Sequence, residues 1–158
     1  MKYITLFLLI ITSLLCINTQ AQKIFYKNGN LEFNVTYNDK GQKIGLFEYY
    51  YESGQLKVKK NYNDKGNEEH GVYIEYHENG EIEIKGNYEN GKQIGEWKYY
   101  YENGNIKSKC TYKNDHEVGF EYYYFENGNI YSIDEYDVNG NNTGVSKKYN
   151  ENGKIFRK

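Results

Sequence analysis

The stretch Gly95-Glu96-Trp97-Lys98-Tyr99-Tyr100-Tyr101-Glu102-Asn103-Gly104-Asn105-Ile106 decides the fold, because close copies of it run the length of the chain. An Asn-Gly or Ser-Gly dipeptide recurs with its glycine at Gly29, Gly54, Gly80, Gly104, Gly128 and Gly153, at intervals of 24 to 26 residues. A second glycine recurs as Gly45, Gly71, Gly95, Gly119 and Gly144. Tyrosine follows each of these five residues later, as Tyr50, Tyr76, Tyr100, Tyr124 and Tyr149. Another tyrosine follows the first five dipeptide glycines eight residues later, as Tyr37, Tyr62, Tyr88, Tyr112 and Tyr136. Markers that keep one common period define a tandem repeat.

Within a unit, the residues after the dipeptide alternate between apolar and polar: Leu31, Phe33, Val35 and Tyr37 in one copy, Ile82, Ile84 and Tyr88 in another. A period of two is the period of a strand. A connection such as Glu89-Asn90-Gly91-Lys92-Gln93 follows, then a second run such as Glu96 to Tyr101. Asn-Gly adopts left-handed backbone angles at low cost, as tight hairpins require, so each unit reads as two strands and two turns. Five units, a leading half-unit ending at Tyr26 and a trailing strand around Lys154 to Arg157 predict an all-β chain. Its expected form is an elongated single-layer antiparallel meander of roughly a dozen strands, about 55 Å long at ~4.8 Å per strand. Each unit should pack on its neighbours, with cross-strand aromatic pairs of roughly 0.2 to 1 kcal/mol each in place of one central core.

Composition agrees with the pattern. Twenty of the 158 residues are tyrosine and none is proline. From Gln22 onward the chain holds neither alanine nor methionine, and its leucines are Leu31, Leu46 and Leu56. Good helix formers are therefore scarce, while Tyr, Phe, Ile and Val suit a pleated surface. The formal charge of −2, with lysines interleaved among carboxylates and Arg157 as the one arginine, argues against nucleic acid as a partner.

The N-terminus reads differently. Met1-Lys2-Tyr3 gives a positive start, Ile4 to Ile17 an apolar run, and Thr19-Gln20-Ala21 a small-x-small site. This predicts a secretory signal over residues 1–21 and a repeat domain over 22–158, exported across the inner membrane to the periplasm, the cell surface or the medium. The apolar run falls short of the roughly 20 residues that span a bilayer. Ser13-Leu14-Leu15-Cys16 departs from a lipobox at Leu15, where a small residue belongs. Removal of Cys16 leaves Cys110 alone, so no internal disulfide staples the domain. Val35, Lys60, Gly86 and Asp134 hold the equivalent position in other units, which makes Cys110 a small filler.

Chemical motifs are few. Gly86-Asn87-Tyr88-Glu89-Asn90-Gly91-Lys92-Gln93 lacks the Ser or Thr after lysine that a phosphate loop needs. Asp137-Val138-Asn139-Gly140-Asn141 is rich in oxygen, but Asn142 and Lys148 stand where a calcium loop needs glycine and glutamate. His70, His77 and His116 fall at different repeat positions, and His77 fills a slot held by Tyr51, Tyr101 and Phe125. Glu52, Glu78, Glu102, Glu126 and Glu151 all precede the dipeptide, so the turn explains them better than a catalytic pair does. No catalytic residue, cofactor or metal site is expected.

The pattern Gly95-x-Trp97-x-x-Tyr100 followed by Asn103-Gly104-x-Ile106 resembles the MORN repeat (membrane occupation and recognition nexus), in the bacterial variant of YwqK-type toxin–antitoxin antitoxins. The likeness covers nearly all of residues 24–158. It implies a non-catalytic module for protein interaction or scaffolding, antitoxin-like by name. It departs from the pattern at Glu121 and Ser146, which stand where Phe47, Tyr73 and Trp97 fill an aromatic slot. The partner expected is another protein. Alternatives are a glycan, stacked on Tyr and Trp rings, or a lipid surface, although negative net charge gives no general attraction to anionic membranes. On strand pleat, Phe47, Tyr49 and Tyr51 share a face with Trp97, Tyr99 and Tyr101 and with Tyr123 and Phe125. These eight are the candidate binding residues. The stripe of Tyr50, Tyr76, Tyr100, Tyr124 and Tyr149 lies opposite, and alternation alone does not say which stripe packs and which meets a partner. Unpaired terminal strands would permit an edge-to-edge homodimer.

Overall fold

A computed structural model describes residues 19–157, so most of the expected leader, including Ile4 to Ile17, lies outside the described residues. The described chain is all strand and turn: β1 Gln20–Phe25, β2 Leu31–Tyr37, β3 Lys43–Tyr50, β4 Leu56–Tyr62, β5 Gly71–Tyr76, β6 Ile82–Glu89, β7 Lys92–Tyr100, β8 Ile106–Lys113, β9 His116–Tyr124, β10 Ile130–Tyr136, β11 Asn142–Tyr149 and β12 Ile155–Arg157. They form one open 12-stranded sheet whose spatial order is the sequence order. Every pairing is antiparallel, as the meander reading predicts. Gln20 and Ala21, on the leader side of the expected boundary, pair with Tyr37 and Thr36 as the first residues of β1.

The two glycine markers make two different devices. At Glu102-Asn103-Gly104 the Gly104 amide donates to Tyr101 O at 2.9 Å and Tyr101 N donates to Asn105 O at 2.9 Å, closing a turn in which glycine takes φ +82°. The Asn103 side chain accepts from Asn105 N at 2.9 Å, so asparagine braces this turn with its oxygen. The same dipeptide at Asn90-Gly91 behaves otherwise. There both residues are left-handed, φ 50° and 80°, as in the tightest two-residue hairpin, and Asn114-Asp115 repeats that geometry at 51° and 70°. Asn-Gly thus builds two kinds of corner.

The second glycine sits inside a strand. Gly45, Gly95 and Gly119 take φ of +64°, +67° and +75° and have no atom within 4 Å of a built Cβ, so left-handed backbone and not space demands glycine there. The register shifts beside them, between Asn34 and Thr36, Lys85 and Asn87, and Lys109 and Thr111, which are bulges. Each bulge leaves one residue of the earlier strand, Val35, Gly86 or Cys110, beneath the residue two after the glycine: Phe47, Trp97 or Glu121.

Burial is thin and one-sided. Val35, Trp97 and Cys110 are the buried apolar side chains, joined by Ser108, Glu121 and Ser132, among the described residues. All lie on one face. We call it the ring face, since it also carries Phe33, Phe47, Tyr62, Tyr73, Tyr88 and Tyr112.

Candidate functional site

The ring face is built by the aromatic slot two residues after the second glycine. Phe47 stacks on Phe33 at 6.2 Å between centroids and meets Tyr62 edge-on at 6.1 Å. Tyr73 stacks on Trp97 at 5.8 Å, and Trp97 is met edge-on by Tyr88 at 5.2 Å and by Tyr112 at 5.9 Å. Offset and edge-on pairs of this kind are the favoured geometry of ring quadrupoles. The indole Nε1 of Trp97 finds no hydrogen-bond partner among the described residues.

A cleft of about 410 Å³ opens on this face among Phe33, Tyr37, Lys43, Phe47, Tyr49 and Lys60. The ammonium groups of Lys43 and Lys60 lie 5.4 Å and 5.5 Å from the Phe47 centroid, so the cleft has an aromatic floor with two lysines over it and Glu32 in its lining. Lys60 is in turn ion-paired with Glu69. Tyr99 and Tyr101 line a second cleft, of about 270 Å³, with His77, Glu83, Glu102 and Lys107.

The eight candidate residues therefore do not form one surface. Phe47 and Tyr49 share the first cleft, and Tyr99 and Tyr101 the second. Trp97 is 2% exposed and sits beneath its neighbours. Tyr51 and Tyr101 are committed within the sheet: their hydroxyls donate to Tyr76 O at 2.8 Å and Tyr124 O at 2.7 Å, a repeat farther along. Tyr26 donates to Tyr50 O at 2.7 Å in the same way, and His77 Nε2 reaches Tyr100 O at 3.1 Å. This slot pins each unit to the next. Phe125, lacking a hydroxyl, packs edge-on against Tyr131 at 5.2 Å. Strict alternation also stops short of these residues, because the register shifts between Tyr49 and Tyr50 and between Tyr99 and Tyr100.

Toward β9 the ring face turns acidic. Glu121, in the slot of Trp97, is 5% exposed, and burial pushes its carboxyl pKa up, helped by Glu117 and Asp134 and opposed by hydrogen bonds from Tyr123 and Tyr136. Tyr136 Oη donates to Glu121 Oε2 at 3.3 Å, and Tyr112 Oη donates to Glu117 Oε1 at 2.7 Å. Burial raises the Tyr112 hydroxyl as well, reinforced by that bond to Glu117. The Cys110 thiol is pushed up to about 12, first by burial and then by Glu117 and Glu121. Ligand atoms of Cys110, Glu117 and Glu121 lie within 4.8 Å of one another, the one such group among the described residues able to hold a metal ion. Sequence reading missed this cluster because its members come from two strands. The signal available was Glu121 itself, a carboxylate in an aromatic slot.

The family model described as the MORN repeat variant matches residues 21–39, 43–64, 69–90, 93–114 and 142–158, more than half of the chain. The chain belongs to the MORN repeat variant family. The unmatched stretch between the fourth and fifth MORN segments holds β9 and β10, where Glu121 replaces the aromatic ring, yet the sheet runs through it without a break. No curated protein matches this MORN chain. MORN repeats are commonly involved in protein or membrane interactions, which is the level of function that membership supports.

Proposed function

We propose that this chain is an exported, non-catalytic repeat module that holds another protein on its ring face. The observation that carries the reading is the cleft among Phe33, Phe47 and Tyr49, whose aromatic floor and Lys43 wall suit an apolar side chain beside a carboxylate. Rings that are rigid, half-exposed and amphipathic contribute contact area at little entropic cost. Neighbour-to-neighbour packing of the strands makes the sheet an extended platform, on which binding surface grows with the number of units. Antitoxin-like neutralisation is one form of such binding, and export would place its target outside the cytoplasm.

The test is photo-crosslinking in the native host. A crosslinking amino acid placed at Tyr49 should recover a discrete protein adduct, whereas the same group at Val138, an 80% exposed turn residue remote from the cleft, should not. Reversing charge with Lys43→Glu should abolish the Tyr49 adduct. A Tyr49 position that yields no adduct, or one that survives Lys43→Glu, overturns the assignment of the cleft.

A further inference from the structure

The face opposite the rings carries a feature that no single strand reveals. Lys85 pairs directly with Lys98, and Lys98 directly with Lys109, so three ammonium groups stand in line across β6, β7 and β8. The same row runs from Lys59 on β4, whose register partner on β3 is Glu48, past Ile74 to Lys85, and continues from Lys109 through Tyr122 and Ile133 to Lys147 on β11. From β4 to β11 it contains no carboxylate. Lys59, Lys85 and Lys109 also hold one repeat position, five residues after Gly54, Gly80 and Gly104, so three of the lysines recur with the repeat, while Asn34 and Ile133 hold that position in other units.

Like charges directly opposite one another destabilise a sheet. Relief is partial. Glu96 pairs with Lys98 at 2.7 Å, and the Lys109 ammonium lies 5.0 Å from the Tyr122 centroid, while Lys59, Lys85 and Lys147 are exposed and make no ion pair among the described residues. In a chain of negative net charge, this is a concentrated cationic line.

The geometry selects among polyanions. Lys85, Lys98 and Lys109 stand on adjacent strands about 4.8 Å apart, close to the length of one sugar in an extended polysaccharide, and Ile74, Tyr122 and Ile133 interrupt that spacing elsewhere in the row. Sheet twist turns the row by roughly 20° per strand, so a flat bilayer meets only a few of its lysines while a flexible chain follows them all. Beside Lys109, Tyr122 lies 6.3 Å from the 49% exposed Phe120 ring, which offers a stacking plane for a sugar. We propose that the row Lys59, Lys85, Lys98, Lys109 and Lys147, with Tyr122, binds a linear acidic polysaccharide bearing one carboxylate per sugar. This site uses the opposite face and stands apart from the protein-binding reading.

The test is calorimetric titration of the full repeat chain with polygalacturonate oligomers at low salt. Dextran, poly-glutamate, oligo-deoxythymidine and vesicles of mixed phosphatidylglycerol and phosphatidylcholine serve as competitors. Polygalacturonate should bind best, dextran should not bind, and affinity should fall steeply with added salt. Lys85→Gln with Lys109→Gln should weaken binding by roughly tenfold or more, because two charged contacts and their released counterions are lost. Lys40→Gln with Lys65→Gln, in turns away from the row, should leave binding unchanged. The row variant keeps its strands, since it removes repulsion between neighbours; an unchanged circular dichroism spectrum checks this. No binding of polygalacturonate, equal binding by the row variant, or tighter binding of poly-glutamate, oligo-deoxythymidine or vesicles overturns the proposal.

Discussion

The indole of Trp97 lies over the Cα of Gly86, in the space that a methyl group on Gly86 would occupy. Gly86 is the one glycine whose absent side chain, and not its backbone angle, is what the fold uses. Gly86→Ala should cost at least about 2 kcal/mol by overpacking, as read by urea denaturation. Gly95→Ala has free space but a left-handed backbone, so it should cost about 1 to 2 kcal/mol through strain alone. A double-mutant cycle separates the causes: Trp97→Leu should recover much of the Gly86→Ala loss and none of the Gly95→Ala loss.

Trp97 itself should tolerate shape-conserving change. Its buried indole N–H has no acceptor among the described residues, so Trp97→Phe gives up area but no hydrogen bond. The expected cost is about 1 to 2 kcal/mol, against about 3 to 5 kcal/mol for Trp97→Ala. Equal losses in the two variants, by thermal melting, would show that the N–H is satisfied in solution.

Unit-to-unit pinning can be moved along the chain. Tyr101→Phe removes the 2.7 Å bond to Tyr124 O and should destabilise by about 0.5 to 1.5 kcal/mol. Phe125→Tyr supplies a hydroxyl at the same repeat position and should stabilise by a similar amount, with its new proton donated toward Tyr149 O. Hydrogen exchange at the β11–β12 end is the local readout, and it should slow in the second variant.

Glu121 should make stability depend on pH in an unusual direction. Its carboxyl pKa is raised in the fold by burial, so as pH climbs past the ordinary glutamate value of about 4.5 the unfolded chain ionises first. Stability contributed by this group is full below that value and is lost as pH rises through the raised folded pKa. Glu121→Gln should therefore raise the melting temperature at pH 7 and change it little at pH 4. A fall at pH 7 would mean that the carboxylate is held by partners stronger than Tyr136.

Cys110 should be silent toward thiol reagents in the native state. It is 4% exposed, and a thiol pushed up to about 12 holds almost no thiolate at neutral pH. Alkylation should proceed only as fast as the β8–β9 region opens, and should become rapid in denaturant. Fast labelling of the folded chain would place the sulfur in a more open setting.

Much of this molecule was written along one dimension. Glycines repeating every 24 to 26 residues, together with period-two alternation, fix the strands, the turns and their neighbour order, because hairpin connections force adjacent strands together. They do so without any knowledge of packing. What lay beyond the sequence is what depends on register and on bulges. Each shift of pairing decides which side chain stands under which, so that Gly86 lies beneath Trp97, Cys110 joins Glu117 and Glu121, and Lys85, Lys98 and Lys109 fall into line. Alternation places Tyr51 and Tyr101 in a candidate binding stripe without saying whether it packs, and beyond a bulge ahead of each its hydroxyl binds the next unit. The chain states locally which residues can be strand or corner; only the folded sheet, by setting distances across strands, determines which of them meet.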